Sequence, residues 1–299
     1  MTELNSMEHD NKGELDSIRS YYDHNTLLFL SYGDQRKTRT IHRPVWGEGV
    51  QNGKQALHYV HELILGQLDP YQKETARHLN ILDMGCGVGA SLFYIKERLG
   101  KEFTGIGLTI SHVQARIAQQ EQLLKDPGNL LFFLLGDFLA PPINMQFDLV
   151  FAIESFAHVA DPRGFFRAVD RLLKPGGKLV LCDDFLSGTD KVDSLSSQND
   201  QWLSIFKEGW GVKGIWQQNY VQTLAESQNL LCIKSDNLTP YLRLKPLPGG
   251  VVELLSVGLG ILPEKKLYWQ SVLGGQALQL CLAHGIVEYR YLVFEKKTR

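Results

Sequence analysis

The chain of 299 residues is short of the features that mark several protein classes. It has four cysteines, Cys86, Cys182, Cys232 and Cys281, far apart and without a CxxC pair, which argues against a zinc knuckle or a dense disulfide scaffold. Three of them sit in apolar runs, where a buried free thiol is the expected state, and such usage fits a reducing cytoplasm. An excess of one charge is also missing: 31 Lys plus Arg against 33 Asp plus Glu give a net charge of -2. No global field therefore gathers nucleic acid or an anionic membrane, and any recognition of a polyanion must be local. No apolar run reaches the roughly 18 to 20 residues of a membrane helix, and the polar stretch 1–16 lacks the basic-then-apolar order of a signal peptide. These absences predict a soluble, unexported, cytoplasmic protein without integral membrane contact. No internal repeat is found.

What is present is 43% hydrophobic content in a chain long enough for one large domain and marginal for two. Residues 1–13 are polar and without period, and are expected to form a mobile tail. Residues 14–70 read as a helical cap and substrate segment, with one helix from Glu14 to Leu30 and a second from Gln55 to Leu68. Residues 71–299 alternate strand-like and helix-like segments. Strands are predicted at Asn80–Met84, Phe103–Leu108, Leu130–Leu135, Asp148–Ile153, Lys178–Cys182, Leu231–Ser235 and Ile286–Glu295. Such alternation predicts an α/β fold with a doubly wound, mostly parallel seven-stranded sheet whose ligands bind at the carboxyl ends of the strands. The aliphatic, glycine-punctuated stretch Pro246 to Leu262 is assigned to a lid insertion at about 237–264.

At Ile81-Leu82-Asp83-Met84-Gly85-Cys86-Gly87-Val88-Gly89 an apolar strand ends in an acid and three alternating glycines before a helix begins. Glycine permits a sharp turn and close approach of backbone to a ligand. A bare GxGxG can serve a nucleotide or nothing. The spacing differs from the GxGxxG dinucleotide fingerprint, and Asp83 would repel a pyrophosphate while suiting a cation.

This segment resembles the first motif of class I S-adenosylmethionine-dependent methyltransferases. Gly136-Asp137-Phe138 after the third strand is similar to the family segment whose acid meets the adenine amino group, although an Asp capping a turn would look the same. Leu173-Lys174-Pro175-Gly176-Gly177 looks like the family's structural turn into the fifth strand. Where the family commonly ends its second strand with an acid for the ribose hydroxyls, this chain has Thr109, in a "GLTISHVQ" pattern like that of tocopherol methyltransferases. The resemblance makes Asp83, Gly85, Gly87, Gly89, Thr109, Gln114, Asp137 and Phe138 candidate cofactor contacts. Ser111 could equally be a helix cap.

The fourth strand delivers Glu154-Ser155-Phe156-Ala157-His158 to the sheet's carboxyl edge. Glu154 directly follows an apolar run, and a carboxylate there can stabilise a cation developing on an acceptor and then take its proton. His158 could act as a base or simply bond a neighbouring segment. The segment resembles that of sterol, tocopherol and prenyl diphosphate C-methyltransferases, and Tyr21-Tyr22-Asp23 resembles the helix with which they cover the cofactor, making Tyr22 a third catalytic candidate. The cationic run Arg36-Lys37-Thr38-Arg39-Thr40-Ile41-His42-Arg43, followed by Trp46, offers Arg36, Arg39, His42, Arg43 and Trp46 as a grip for a diphosphate, with Mg2+ bridging it; a solvated basic loop is the other reading. Residues 251–262 would receive a hydrocarbon tail.

Three functions follow: a C-methyltransferase of an isoprenoid, most specifically a prenyl diphosphate; an O- or N-methyltransferase of a small secondary metabolite; or a noncatalytic binder that keeps the fold. The expected partner is a small molecule rather than nucleic acid. Aromatic residues of the first helix would allow a homo-oligomer, though nothing compels one.

Overall fold

The computed structural model describes residues 16, 18–31, 38–68, 78–100, 102–128, 130–188, 197–259 and 266–298. The expected tail at 1–13, the helix start at Glu14, Arg36 and the end of the lid beyond 259 lie outside the described residues.

Seven strands build one sheet: β1 (Leu79–Met84), β2 (Phe103–Thr109), β3 (Leu131–Leu135), β4 (Phe147–Ile153), β5 (Leu173–Leu186), β6 (Leu230–Asn237) and β7 (Val287–Lys296). Their order is β3-β2-β1-β4-β5-β7-β6. The first five run parallel, and β7 lies antiparallel between β5 and β6. β4 is buried at every position, as a central parallel strand covered on both faces must be. Side chains alternate between two apolar layers because successive Cβ atoms leave opposite faces. Ile81, Leu149 and Val180 meet helices on one side. Leu82, Val150 and Leu181 meet Phe165, Phe166 and Val221 on the other.

Nine helices among the described residues flank the sheet: α1 at 18–29, α2 (Gly53–Gly66), α3 (Ala90–Leu99), α4 (His112–Lys125), α5 (Pro162–Leu172), α6 (Ser197–Trp210), α7 (Gln218–Glu226), α8 (Gly249–Leu259) and α9 (Lys266–Ala283). Their starts follow capping chemistry. The Asn52 side chain accepts from the Gln55 amide at 3.0 Å, and Asp161 accepts from the Gly164 amide at 2.9 Å just ahead of Pro162. Ser111, left open between cap and cofactor contact, does cap α4, accepting from the Gln114 amide at 3.1 Å.

Helix α1 is stapled across the carboxyl edge of the sheet. Arg19 Nε donates to the Ile110 carbonyl at 3.1 Å, and the Val113 amide donates to Asp23 at 3.2 Å. The Tyr21 hydroxyl meets Ser271 of α9 at 2.9 Å. On the far side, α6 and α9 approach so closely that a Cβ at Gly209 would lie 2.4 Å from the Gln270 carbonyl oxygen. Helix α8, within the segment expected to wall a substrate, packs instead on the outside of α6 and α9. Trp202 Nε1 donates to Glu253 at 2.8 Å, while Leu254 and Val257 are 73% and 72% exposed.

Candidate active site

The carboxyl ends of β1, β2, β4 and β5, together with α1 and the segment 39–44, enclose a cavity of about 370 Å³. Thirteen of the residues singled out above line it: Tyr22, Arg39, His42, Arg43, Asp83, Gly85, Gly87, Thr109, Gln114, Asp137, Phe138, Glu154 and His158.

One end is the glycine turn. Gly85, Gly87 and Gly89 all have positive φ, at 94°, 54° and 83°. Their reasons differ. A Cβ at Gly85 would sit 2.4 Å from Ser155 Cβ, and one at Gly89 would sit 2.5 Å from Phe133 Cε1, so these two glycines admit protein side chains. At Gly87 the nearest atom would be Ile41 Cδ1 at 3.6 Å, which leaves this backbone open to a ligand. Gly89, expected to touch a cofactor, is absent from the cavity wall and serves the turn into α3. Asp83 is 2% exposed, its Oδ2 has no hydrogen-bond partner among the described residues, and burial pushes its carboxyl well above the usual range. A buried acid with an unpartnered oxygen beside an open backbone turn fits the cationic, amino-acid end of S-adenosylmethionine.

Next along the edge, the Thr109 hydroxyl donates to Gln114 Oε1 at 2.7 Å and accepts from the Ser111 amide at 3.2 Å. The pair presents a neutral surface where an acid is common. Asp137 accepts from the Leu139 amide at 3.1 Å, an Asx turn that fixes it at the rim beside Phe138.

The other end is built around Glu154, which occupies the left-handed region at φ 49°. A non-glycine residue held there signals a backbone that its surroundings over-determine. Three donors converge on Glu154 Oε1: the Arg43 amide at 2.9 Å, Arg43 Nε at 3.0 Å and the Tyr289 hydroxyl at 3.0 Å. Arg43 also grips Asp184 with both terminal nitrogens, at 2.9 and 2.7 Å, and its guanidinium lies 4.4 Å from the centre of the Tyr289 ring. Asp183, adjacent, accepts from the Ala157 amide at 3.2 Å; burial and then the Asp184 charge push its carboxyl up to about 7.

Arg43, expected to hold an anionic substrate, is instead paired within the protein. Its side chain is 16% exposed and fully engaged by two carboxylates. Arg39 reaches the cavity but pairs with Glu121 at 2.8 Å. Trp46, expected at the cavity mouth, lies outside the wall, with the Arg243 guanidinium 3.2 Å from its ring centre. The stretch expected to receive a hydrocarbon tail does not line the cavity over its described residues. The apolar lining includes Tyr21, Phe29, Ile41, Phe206, Trp210 and Val212, and no residue of 246–259 takes part.

His158 and Tyr22 form the remaining pair. The Gly211 carbonyl can only accept, so His158 Nδ1 carries the hydrogen of this 3.2 Å contact and the neutral ring presents a bare Nε2. The Tyr22 hydroxyl donates to that Nε2 at 2.7 Å. Burial lowers the His158 pKa to about 4, which keeps the ring neutral, and raises that of the Tyr22 phenol well above its ordinary value.

The residues missed in the sequence are Asp183, Asp184 and Tyr289. The first two carried a signal, since an apolar run ending in two acids at the tip of a parallel strand parallels Asp83. Tyr289 carried none, because only the insertion of β7 beside β5 brings it to Glu154.

Comparison with known proteins agrees with this architecture. Residues 82–181 match the family described as "Methyltransferase domain". Over 111 residues the chain is 32% identical to the tocopherol O-methyltransferase of Arabidopsis thaliana, covering 37% of this chain and 31% of that protein. The chain spans about a third of the length of the first curated relatives it matches. Among solved structures, a cyclopropane synthase from Mycobacterium tuberculosis aligns with a TM-score of 0.73 at 18% identity, over 94% of this chain and 98% of that one. A geranyl diphosphate C-methyltransferase from Streptomyces coelicolor, solved with Mg2+, geranyl diphosphate and S-adenosyl-L-homocysteine, aligns with a TM-score of 0.61 at 16% identity, over 95% and 97%. Residues 82–181 are thus similar to a methyltransferase domain, and the sheet around them has the Rossmann-like fold of the structures it aligns with.

Proposed function

We propose that this chain transfers the methyl group of S-adenosylmethionine to a carbon of an uncharged, largely apolar acceptor of isoprenoid type. The observation that carries the reading is the polarity of the cavity: an aromatic and aliphatic chamber ends at the Glu154 carboxylate, with Asp83 on the cofactor side and Asp183 and Asp184 behind. S-Adenosylmethionine, when bound, supplies an electrophilic methyl group. An alkene carbon held in the apolar part would attack it and leave positive charge on the neighbouring carbon of the acceptor. Glu154 stabilises that charge and accepts the proton whose loss restores the alkene. Arg43 and Tyr289 hold Oε1, so the carboxylate enters the reaction already oriented.

The finer expectation of a diphosphate acceptor finds less support. A diphosphate needs unengaged cations, whereas Arg43 is held by two carboxylates and Arg39 by Glu121. With it goes the motive for a bridging Mg2+. A second reading, O-methylation of a phenol or alcohol, is favoured by the Tyr22–His158 pair, because His158 Nε2, which accepts from the Tyr22 hydroxyl, can take a proton that an acceptor hydroxyl passes on through that phenol. The proteins named above include both an O-methyltransferase and a C-methyltransferase.

The deciding experiment supplies labelled S-adenosylmethionine with sterols, a tocopherol-type phenol, farnesol, and geranyl and farnesyl diphosphates, and locates the label in each product. Carbon methylation of a neutral isoprenoid is expected. Glu154→Gln should leave affinity for S-adenosylhomocysteine unchanged and lower turnover by about a hundredfold or more, the scale of a lost general base. Full activity in that variant removes Glu154 as base, and a preference for the diphosphates removes the uncharged acceptor.

A further inference from the structure

In and behind the wall that carries Arg43 stand three buried histidines that no step above uses: His42, which lines the cavity, and His58 and His61 beyond it, 7%, 8% and 0% exposed. They are joined edge to edge. His42 Nδ1 meets the Arg43 carbonyl at 3.2 Å, and His42 Nε2 meets His61 Nε2 at 3.1 Å. His61 Nε2 also meets Ser91 Oγ at 3.0 Å, and His61 Nδ1 meets His58 Nδ1 at 3.0 Å.

The hydrogens along this chain follow from elementary rules. A carbonyl only accepts, so His42 Nδ1 must carry a hydrogen, and in a neutral ring its Nε2 is then a bare acceptor. His61 must therefore donate from Nε2, which leaves its own Nδ1 bare. His58 must then donate from Nδ1. The histidine contacts then run in one direction, from His58 through His61 and His42 to the Arg43 carbonyl, and the single Nε2 hydrogen of His61 is shared between His42 Nε2 and Ser91 Oγ. Neutral rings are what the setting favours. Burial lowers all three pKa values, that of His58 to about 4. The charged groups that face the trio are Glu154 and Arg43 at His42, and Lys54 and Glu62 at His58, whose ring stacks on Tyr94 at 4.0 Å.

His61 belongs to α2, which does not line the cavity, yet it touches both of the cavity's ends. Through His42 it holds the peptide of Arg43, the residue whose amide and guanidinium fix Glu154 Oε1. Through Ser91 it holds the first turn of α3, directly after the glycine turn. An aliphatic residue would fill this interior position as well; a ring bonded at both nitrogens ties two walls at a set spacing.

We infer that His61 is a positioning residue for the Glu154 carboxylate, donating from Nε2 to His42 and Ser91 so that the Arg43 segment and the cofactor turn keep one mutual geometry. This rests on the proposed role of Glu154, and the tests separate the two.

In the unaltered protein, long-range proton–nitrogen NMR of the imidazoles should find hydrogen on Nε2 of His61 and on Nδ1 of His42 and His58 at neutral pH. Hydrogen on Nδ1 of His61, or a charged His61 ring, overturns the inference whether or not any acceptor has been found. In kinetics, His61→Phe should lower kcat about tenfold, the scale of one buried hydrogen bond, with KM for S-adenosylmethionine within about twofold. His61→Gln, which keeps one donor and one acceptor, should recover part of the rate. The double change His42→Phe with His61→Phe should be no worse than the poorer single variant, because both break one chain. An unchanged kcat, or losses that simply multiply, would refute the inference even if methyl transfer itself is confirmed. If the variants fail to fold, the NMR assignment alone decides.

Discussion

Replacing Arg43 by Met gives the sharpest test of how the cavity's acidic end is held. The substitution keeps most of the side chain's length and deletes its charge, its three side-chain hydrogen bonds to Glu154 and Asp184, and its place over the Tyr289 ring. Breaking a buried ion pair from one side costs about 3–5 kcal/mol, since the partner is left charged and uncompensated. Arg43 is 16% exposed and Asp184 3%, so some screening remains and the lower half of that range applies, about 3 kcal/mol. Losing the guanidinium–ring contact adds about 1 kcal/mol. A loss of about 3–4 kcal/mol leaves a protein of ordinary stability folded. Urea unfolding followed by tryptophan fluorescence would measure it, with the slope m expected to stay unchanged.

The pH dependence makes the test specific. Burial raises the Asp184 carboxyl, Arg43 being the main influence that pulls it back down, and Asp183 is raised to about 7. Without Arg43 the native carboxyls hold protons that the unfolded chain, titrating near pH 4, has already released. Native protein then binds more protons than unfolded protein between about pH 4 and 7, so stability rises as pH falls through that window. The deficit of Arg43→Met should therefore shrink from pH 7 to pH 5. A deficit under about 1 kcal/mol that is equal at both pH values, together with a raised KM for anionic acceptors, would refute this account and reinstate Arg43 as an anion grip.

Gly85→Ala should be destabilised by about 2–4 kcal/mol in the same unfolding assay, because φ of 94° is strained for alanine and its Cβ would press on Ser155. Gly87→Ala should lose only about 1 kcal/mol of stability while calorimetry shows affinity for S-adenosylhomocysteine falling at least about tenfold, since only this turn position faces open space. His58 and His158 have native pKa values lowered to about 4, against 6.5 when unfolded, so their contribution to stability falls as pH drops from about 6.5 to 4, while the buried Asp183 carboxyl, raised to about 7, contributes in the opposite sense. An NMR titration in which either ring takes up its proton near pH 6.5 in the folded protein would contradict the neutral, buried setting of these rings.

The parts of this fold that could be read in the sequence are those whose signal is local. Strands β1 to β5 announce themselves by apolar runs between turn residues, and the glycine turn at Gly85 to Gly89 by spacing. Local readings also locate Glu154 and His158, because each follows a strand end. The basic run 36–43 shows where locality stops. Arg43 looked free because its partners lie 111 and 141 residues further along, at Glu154 and Asp184. The same holds for Trp46, which stacks with Arg243 across the fold, and for 246–259, whose aliphatic character suggested a substrate wall. Hydrophobicity says that a segment will pack or be exposed; it does not say against which face.

The position of β7 bears on how the protein comes into being. The strand is made after β6 yet inserts between β6 and β5, so on a ribosome the sheet stays open at its acceptor edge until residues 287–296 have emerged. A nascent chain stalled before them would own the whole glycine turn and the β1–β4 edge, but no phenol to steady Glu154. Ligand capture and catalytic competence would thus mature at different times in biosynthesis, the second only when β7 pairs with β5 and β6.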